Sequence, residues 1–210
     1  MYRVVELLAV VSSAFYGVLL ARRHHMDFVG VFCLAFVVAF GGGTLRDLFL
    51  DRHPLFWIRE EYYPIIVFVI ALISSVLKTV PVHLERYLSI PDALGLGLFS
   101  VVGTSAAIDY GTSWFIASLL GVVTGTFGGV MGDVICNRVP SLFRPAPLFA
   151  TCSFVGSWIY ILMRSVASLE TFAAPVAIAV IVAFRLISIR FHLYLPHVGD
   201  EVSDLGQNDG

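Results

Sequence analysis

Gly42-Gly43-Thr44-Leu45-Arg46-Asp47 lies at the end of one apolar run of this chain, and Gly128-Gly129-Val130-Met131-Gly132-Asp133 lies at the end of another, 86 residues further on. The same offset pairs Glu6 with Asp92, Gly17 with Gly103, Arg52 with Arg138 and Pro54 with Pro140, and no gap is needed between Glu6 and Pro140. Gly, Asp, Arg and Pro are rare in apolar helices, where each needs a backbone or charge reason to be present. Their recurrence marks a duplicated unit rather than shared hydrophobicity.

Around these motifs the 210 residues are 58 % hydrophobic and 13 % charged, with a mean hydropathy of +0.88. Soluble domains carry about a quarter charged residues, so the composition places the chain in a bilayer. Apolar runs at 4–21, 28–45, 63–77, 93–108, 111–131, 147–163 and 171–189 come near the ~20 residues that cross ~30 Å of hydrocarbon. The reading is an all-α membrane protein of seven transmembrane helices. Runs 63–77 and 171–189 are the weakest, the second broken by Arg185, but flanking Lys78 and Arg190 can snorkel to the interface.

The first run has the early Arg and short apolar core of a signal peptide. Glu6 interrupts it and its counterpart Asp92 lies mid-chain, which favours a retained span. Cys33, Cys136 and Cys152 fall in or beside apolar runs without metal-ligand spacing and read as packing residues. The histidines lie mainly in loops and flanks, so neither a metal nor another cofactor is expected. No nucleophile triad order, P-loop or dinucleotide fingerprint occurs, which argues against an enzyme. A net charge of −2 gives no basic footprint for nucleic acid.

Three spans per unit is an odd number, so the second unit must enter the membrane from the opposite side. The expected organisation is one transmembrane domain over 1–198, with repeat one at about 1–86, an inverted repeat two at about 87–170, and a seventh helix at about 171–191. An acidic tail at 199–210 is expected to be disordered. Arg22, Arg23, Lys78, Arg86, Arg138, Arg144 and Arg190 fall on one side, against Arg3, Arg52, Arg59 and Arg164 on the other. That bias puts the N-terminus outside and the C-terminus in the cytoplasm.

Gly41, Gly42 and Gly43, followed by Thr44, and the pair Gly128 and Gly129 each cost a helix about 1 kcal/mol per residue relative to Ala and invite a kink or break. Irregular backbone at membrane depth must be packed in protein or line a watery cavity. The plainer reading is close helix approach. Two pseudo-symmetric runs, each followed by Asp, favour a pathway lined by these residues. Asp47 and Asp133, toward its outer and inner halves, would concentrate cations; alternatively each only pairs with a neighbouring Arg. Arg46 has Gly132 as its counterpart, and is read either as a salt-bridge partner of Asp47, Asp133 or Glu6 or as a gating charge. Arg185 is expected to meet Asp133 and to replace the base missing at Gly132. Glu6 and Asp92 are read first as helix-start anchors and second as ion ligands. Tyr2, Trp57, Tyr62, Tyr63, Trp114 and Trp158 form an interfacial belt.

With these features together, the chain resembles the prokaryotic branch of the trimeric intracellular cation (TRIC) channel family. The matching stretches are ARRHHMDFVGV at 21–31, GGGTLRD at 41–47, HPLFW at 53–57, DALGLGLFSVVGT at 92–104, the second Gly-Gly motif and AFRLISIR at 183–190. The resemblance implies a homotrimer in a prokaryotic inner membrane. Each protomer would carry its own pore for monovalent cations, chiefly potassium ions, lined by glycine-kinked spans two and five. Two departures stand out: the family's second motif carries Arg where this chain has Gly132, and 144–147 lacks the expected Lys/Glu pair. If that Arg gates, this chain is leakier or more cation-selective than its relatives; if it is structural, the fold is weaker.

Relatives have also been labelled glycine transporters, and inverted repeats suit a secondary carrier for glycine or a similar small solute as well as a channel. A membrane-embedded scaffold is the third reading. It predicts neither flux.

Overall fold

The computed structural model describes residues 2–77 and 88–195; Lys78, Arg86 and the 199–210 tail lie outside the described residues. Regular structure among the described residues is helical throughout. The helices are α1 (Tyr2–Arg23), α2 (Phe28–Phe49), the single turn α3 (Phe56–Arg59), α4 (Tyr62–Val76), α5 (Ser89–Tyr110), α6 (Trp114–Ile135), α7 (Ala150–Arg164) and α8 (Glu170–Arg190). Five of them, α1, α2, α5, α6 and α8, are long and apolar enough to cross a membrane, and α4 is a shorter apolar helix.

Moving α2 along the chain by 86 residues gives α6 residue for residue. The caps follow. Asp27 Oδ1 accepts from Gly30 N at 2.8 Å at the start of α2, and Ser113 Oγ accepts from Ile116 N at 3.4 Å at the start of α6. Each cap satisfies an amide that the first helical turn leaves without a partner. Both helices also stop alike, with Arg52 N donating to Asp47 O and Arg138 N donating to Asp133 O.

Neither Gly-Gly motif breaks its helix: α2 and α6 run uninterrupted through Gly41–Gly43 and Gly128–Gly129. Asp47 and Asp133 therefore lie inside the last helical turns, not beyond a break. Two of these glycines let the helices cross closely. A Cβ on Gly42 would fall against the carbonyl oxygen of Thr124, and one on Gly128 against that of Val38. Rising residue number along α2 thus meets falling number along α6, so these corresponding helices are antiparallel. The two contacts exchange under the internal offset, which puts a pseudo-two-fold axis between them. The second unit is inverted relative to the first.

Each half has its own core. Ala9, Val10, Leu34, Val38 and Val67 join α1, α2 and α4, while Leu96, Val101, Cys152, Tyr160, Ala177 and Ile181 join α5, α7 and α8. The halves differ in polarity. A run of edge and tilted aromatic contacts links Phe28, Phe68, Phe32, Phe36, Phe40, Phe56 and Tyr63 in the first. In the second, hydroxyls one turn apart join α5 to α7, Ser100 with Ser153 at 2.6 Å and Thr104 with Ser157 at 2.9 Å. Cys136 and Cys152 are buried as packing residues should be, whereas Cys33 is exposed.

At one face of the bundle, Arg22 ties the end of α1 to the end of α4 through Leu77 O at 3.0 Å and Ser74 O. The ends of α1 and α8 and the start of α5 also meet there, and we call this the Arg23 face. The end of α2 and the starts of α1 and α4 make the opposite, Phe49 face.

Candidate functional site

Each half of the bundle holds a largely buried cluster of two carboxylates and one guanidinium. Toward the Phe49 face, Arg46 bonds Glu6 Oε1 at 3.2 Å and Asp47 Oδ1 at 2.9 Å. Asp47 Oδ2 accepts from the Phe56 amide at 2.8 Å, and Tyr63 donates to Glu6 Oε2 at 3.2 Å. The Phe56 ring lies under the guanidinium, 5.1 Å from its carbon. Arg46 is 1 % exposed and Asp47 2 %, so the charges depend on one another rather than on water.

Toward the Arg23 face, the equivalent of Glu6 is Asp92, and its base comes from α8. Arg185 Nη2 lies 3.2 Å from Asp92 Oδ2, while Nη1 donates to the carbonyls of Pro147 at 2.8 Å and Leu148 at 2.9 Å. Its guanidinium stacks over Phe149 at 4.5 Å. Arg185 does replace the base missing at Gly132, but through Asp92: among the described residues no hydrogen bond joins it to Asp133. Asp133 instead accepts from Ser141 N at 3.0 Å and Ser141 Oγ at 3.3 Å. The buried Arg185 Nε has no hydrogen-bond partner among the described residues.

The room at Gly132 is filled by larger neighbours. A Cβ there would lie 2.8 Å from Val38 Cγ2 and 3.4 Å from Leu20 Cδ2, and the offset pairs Leu20 with the much smaller Ala106. At the end of α6, burial first and the Asp133 carboxylate second push the Cys136 thiol above its ordinary value.

From the α2–α6 crossing, at 1.5 Å per residue, Asp47 and Asp133 stand about 20 Å apart along the helices. Three cavities lie between the crossing and the Arg23 face, and all three are lined by Tyr16 and Asp92. The outermost, about 380 Å³, opens beside Arg23, Ser89 and Ile189. A second, about 30 Å³, lies among Asp92, Asp133, Arg185 and Gly129. The third, about 20 Å³, reaches Thr124, Gly128 and Val38 at the crossing itself. The inner two have the size and polar lining for single water molecules.

The two glycine runs serve different neighbours. Gly42 and Gly128 let backbones touch at the crossing, and Gly41 faces the flexible Met131 side chain. A Cβ on Gly43 would lie 2.5 Å from the Phe56 ring, while one on its equivalent Gly129 would find only Phe149, at 3.9 Å. Thr44 accepts from Trp57 Nε1 at 3.0 Å. Asp92 lies in the first turn of α5 as a helix-start residue should, but Glu6 lies beyond the first turn of α1 and is a partner of Arg46.

Sequence reasoning did not single out Tyr16, Phe56, Phe149 or Ser141. The offset pointed to Phe56 only weakly, since its equivalent is Leu142. Among the described residues no cluster of metal-ligating side chains occurs.

Comparison with known proteins agrees with the internal repeat. A family model described as glycine transporter matches the chain twice, over residues 3–79 and 89–165, with starts 86 residues apart. The UPF0126 inner membrane protein YadS of Escherichia coli (strain K12) is 34 % identical over 194 residues, covering 91 % of this chain and 93 % of that protein. The crystal structure of the TRIC trimeric intracellular cation channel orthologue from Rhodobacter sphaeroides superposes with a TM-score of 0.85 at 29 % identity, over 91 % of this chain and 98 % of the other. A second solved structure, from work on conductance through TRIC cation channels, gives 0.85 at 27 % identity, over 97 % and 100 %.

Proposed function

The chain belongs to the family whose model is described as glycine transporter and has the fold of the prokaryotic TRIC channels, and on that premise we propose that it is a cation channel. It passes potassium ions down their gradient without catalysis. The assembly is a homotrimer in the lipid of a prokaryotic inner membrane, with a pore inside each protomer. The two 15-residue helices α4 and α7 complete seven spans, with the N-terminus outside and the C-terminus in the cytoplasm. The Arg23 face is then cytoplasmic.

One observation carries this reading: the three cavities that share Tyr16 and Asp92 lead from the Arg23 face to the crossing of α2 and α6. The walls of the inner two bear Asp92 and Asp133 against the one guanidinium of Arg185, a net negative lining that attracts cations and repels anions, with Arg23 only at the outer mouth. Backbone and hydroxyls near Gly128 and Thr124 offer oxygens in place of hydration water. The Phe49 half is closed around Arg46, so the conformation described is a non-conducting one.

Purified protein in a planar bilayer under a KCl gradient tests the reading. Discrete current steps that reverse near the potassium potential are expected, unchanged by glycine on either side. Silence from folded protein, with saturable glycine uptake into liposomes, would overturn it in favour of a carrier.

A further inference from the structure

We infer that Phe56 is the plug of the Phe49 half of the path: its ring fills, over Gly43, the space that the other half leaves open beside Gly129. The inference rests on the channel reading and names the residue that holds the closed state.

The argument is a comparison within one molecule. Gly43 and Gly129 are equivalent glycines on equivalent helices, and nothing in their own chemistry distinguishes them. Beside Gly43 the Phe56 ring edge stands where a side chain would begin; beside Gly129 the space belongs to the cavities that lead to the Arg23 face. The ring is 1 % exposed and is held on four sides. Its own amide is bonded to Asp47, Arg46 lies over its face, and Phe40 and Tyr63 pack against it with centroids 5.8 and 5.7 Å away.

In the second half the corresponding segment also returns to its carboxylate through a backbone amide, but from Ser141, followed by Leu142 where the first half has the ring. No aromatic side chain is delivered over Gly129 by that segment, and a cavity remains. The closing contact is carried by the first residue of α3, which a short loop brings back to the end of α2. Freeing Asp47 from Phe56 N would release the ring without disturbing the α2–α6 crossing.

The test replaces Phe56 by Leu, the residue found at the equivalent position. Phe56→Leu is expected to carry several-fold more potassium current than the parent at the same voltage, with the reversal potential unchanged, because no charge is altered. A second readout does not depend on current. In a background with Cys33, Cys136 and Cys152 replaced by Ser, Val38→Cys places a thiol beside the crossing. Ag⁺, a thiol-seeking cation close to K⁺ in size, is added to proteoliposomes from the Phe49 face, and protection of that thiol from later alkylation is measured. Protection is expected to develop several-fold faster with Phe56→Leu than in the parent. If Phe56→Leu no longer elutes as the parent does, Phe56→Met, close to Phe in bulk but flexible, takes its place. Equal protection with and without the ring, or none in either while the parent conducts, overturns the plug. A parent that conducts nothing while the Ag⁺ gain persists overturns the channel reading and leaves the plug standing.

Discussion

Arg185 holds Asp92 at the same 3.2 Å at which Arg46 holds Glu6, although Arg46 comes from the duplicated unit and Arg185 from the helix outside it. The duplicated carboxylates have kept equivalent places, and the base of the second has moved to another helix. The guanidinium reaches Asp92 across the α5–α8 contact and takes Pro147 O and Leu148 O as further acceptors. The segment 144–147, which lacks the charged pair expected there, supplies one of these carbonyls instead of a side-chain carboxylate. Helix α8 is therefore a working part of the second half.

Arg185→Leu is expected to lower stability by about 3–5 kcal/mol, because it leaves Asp92 buried without its counter-charge. Asp92→Asn combined with Arg185→Gln removes both charges at once and is expected to recover part of that loss. Unfolding of the purified variants in detergent checks this. A double variant no better than Arg185→Leu would show that the two groups are not coupled.

The fold was largely legible because the repeat is carried by residues with narrow tolerances. Gly42, Gly128, Asp47 and Asp133 recur at one offset, and an odd number of spans per unit would require the inversion that the antiparallel α2 and α6 display. The partner of Arg185 was not legible, since Asp92 and Asp133 border the same cavity and the choice turns on the rotation of α8 against α5. Continuity through Gly41–Gly43 also went against local propensity. A break would leave amides and carbonyls without partners at membrane depth, and close packing offsets the ~1 kcal/mol per glycine. Phe56 was hidden because the return of a residue in a single helical turn to a glycine has no periodic signature.

The glycines within a motif are expected to respond differently to the same substitution. Gly42→Ala and Gly128→Ala drive a methyl into a backbone carbonyl of the facing helix, and each should cost about 1–3 kcal/mol or more as α2 and α6 separate. Gly129→Ala meets nothing closer than 3.9 Å and is expected to be neutral or to gain up to about 1 kcal/mol from helix propensity. Thermal unfolding of the three variants side by side would reveal this. Equal loss at Gly128 and Gly129 would contradict the close crossing.

Restoring the base at Gly132 needs room as well as charge. Gly132→Arg alone sets a Cβ against Val38 and Leu20 and is expected to fold poorly. Adding Leu20→Ala, the residue that the other half carries at 106, and Val38→Ala, which removes the methyl facing Gly132, should recover much of the yield. In that background Arg185→Leu is expected to be better tolerated, because Asp92 has a second candidate base. Expression and elution profiles decide whether bulk is the obstacle: a triple variant no better than the single would show that it is not.

The two path aspartates should separate stability from permeation. Asp47 is enclosed by Arg46 and the Phe56 amide, so Asp47→Asn removes half of the compensation for a buried guanidinium and is expected to reduce folding first. In Asp133→Asn the side-chain oxygen still accepts from Ser141 N, and the fold is expected to survive. The loss there is one negative charge beside a cavity that Arg185 also borders, leaving Asp92 and Arg185 to cancel. Under a KCl gradient the reversal potential should move from the potassium toward the chloride value. The shift should be largest in dilute salt, since screening extends over about 30 Å at 0.01 M and about 3 Å at 1 M. A reversal potential that stays at the parent value at both salt concentrations would remove Asp133 from the permeation path and leave it as an anchor for the Ser141 loop.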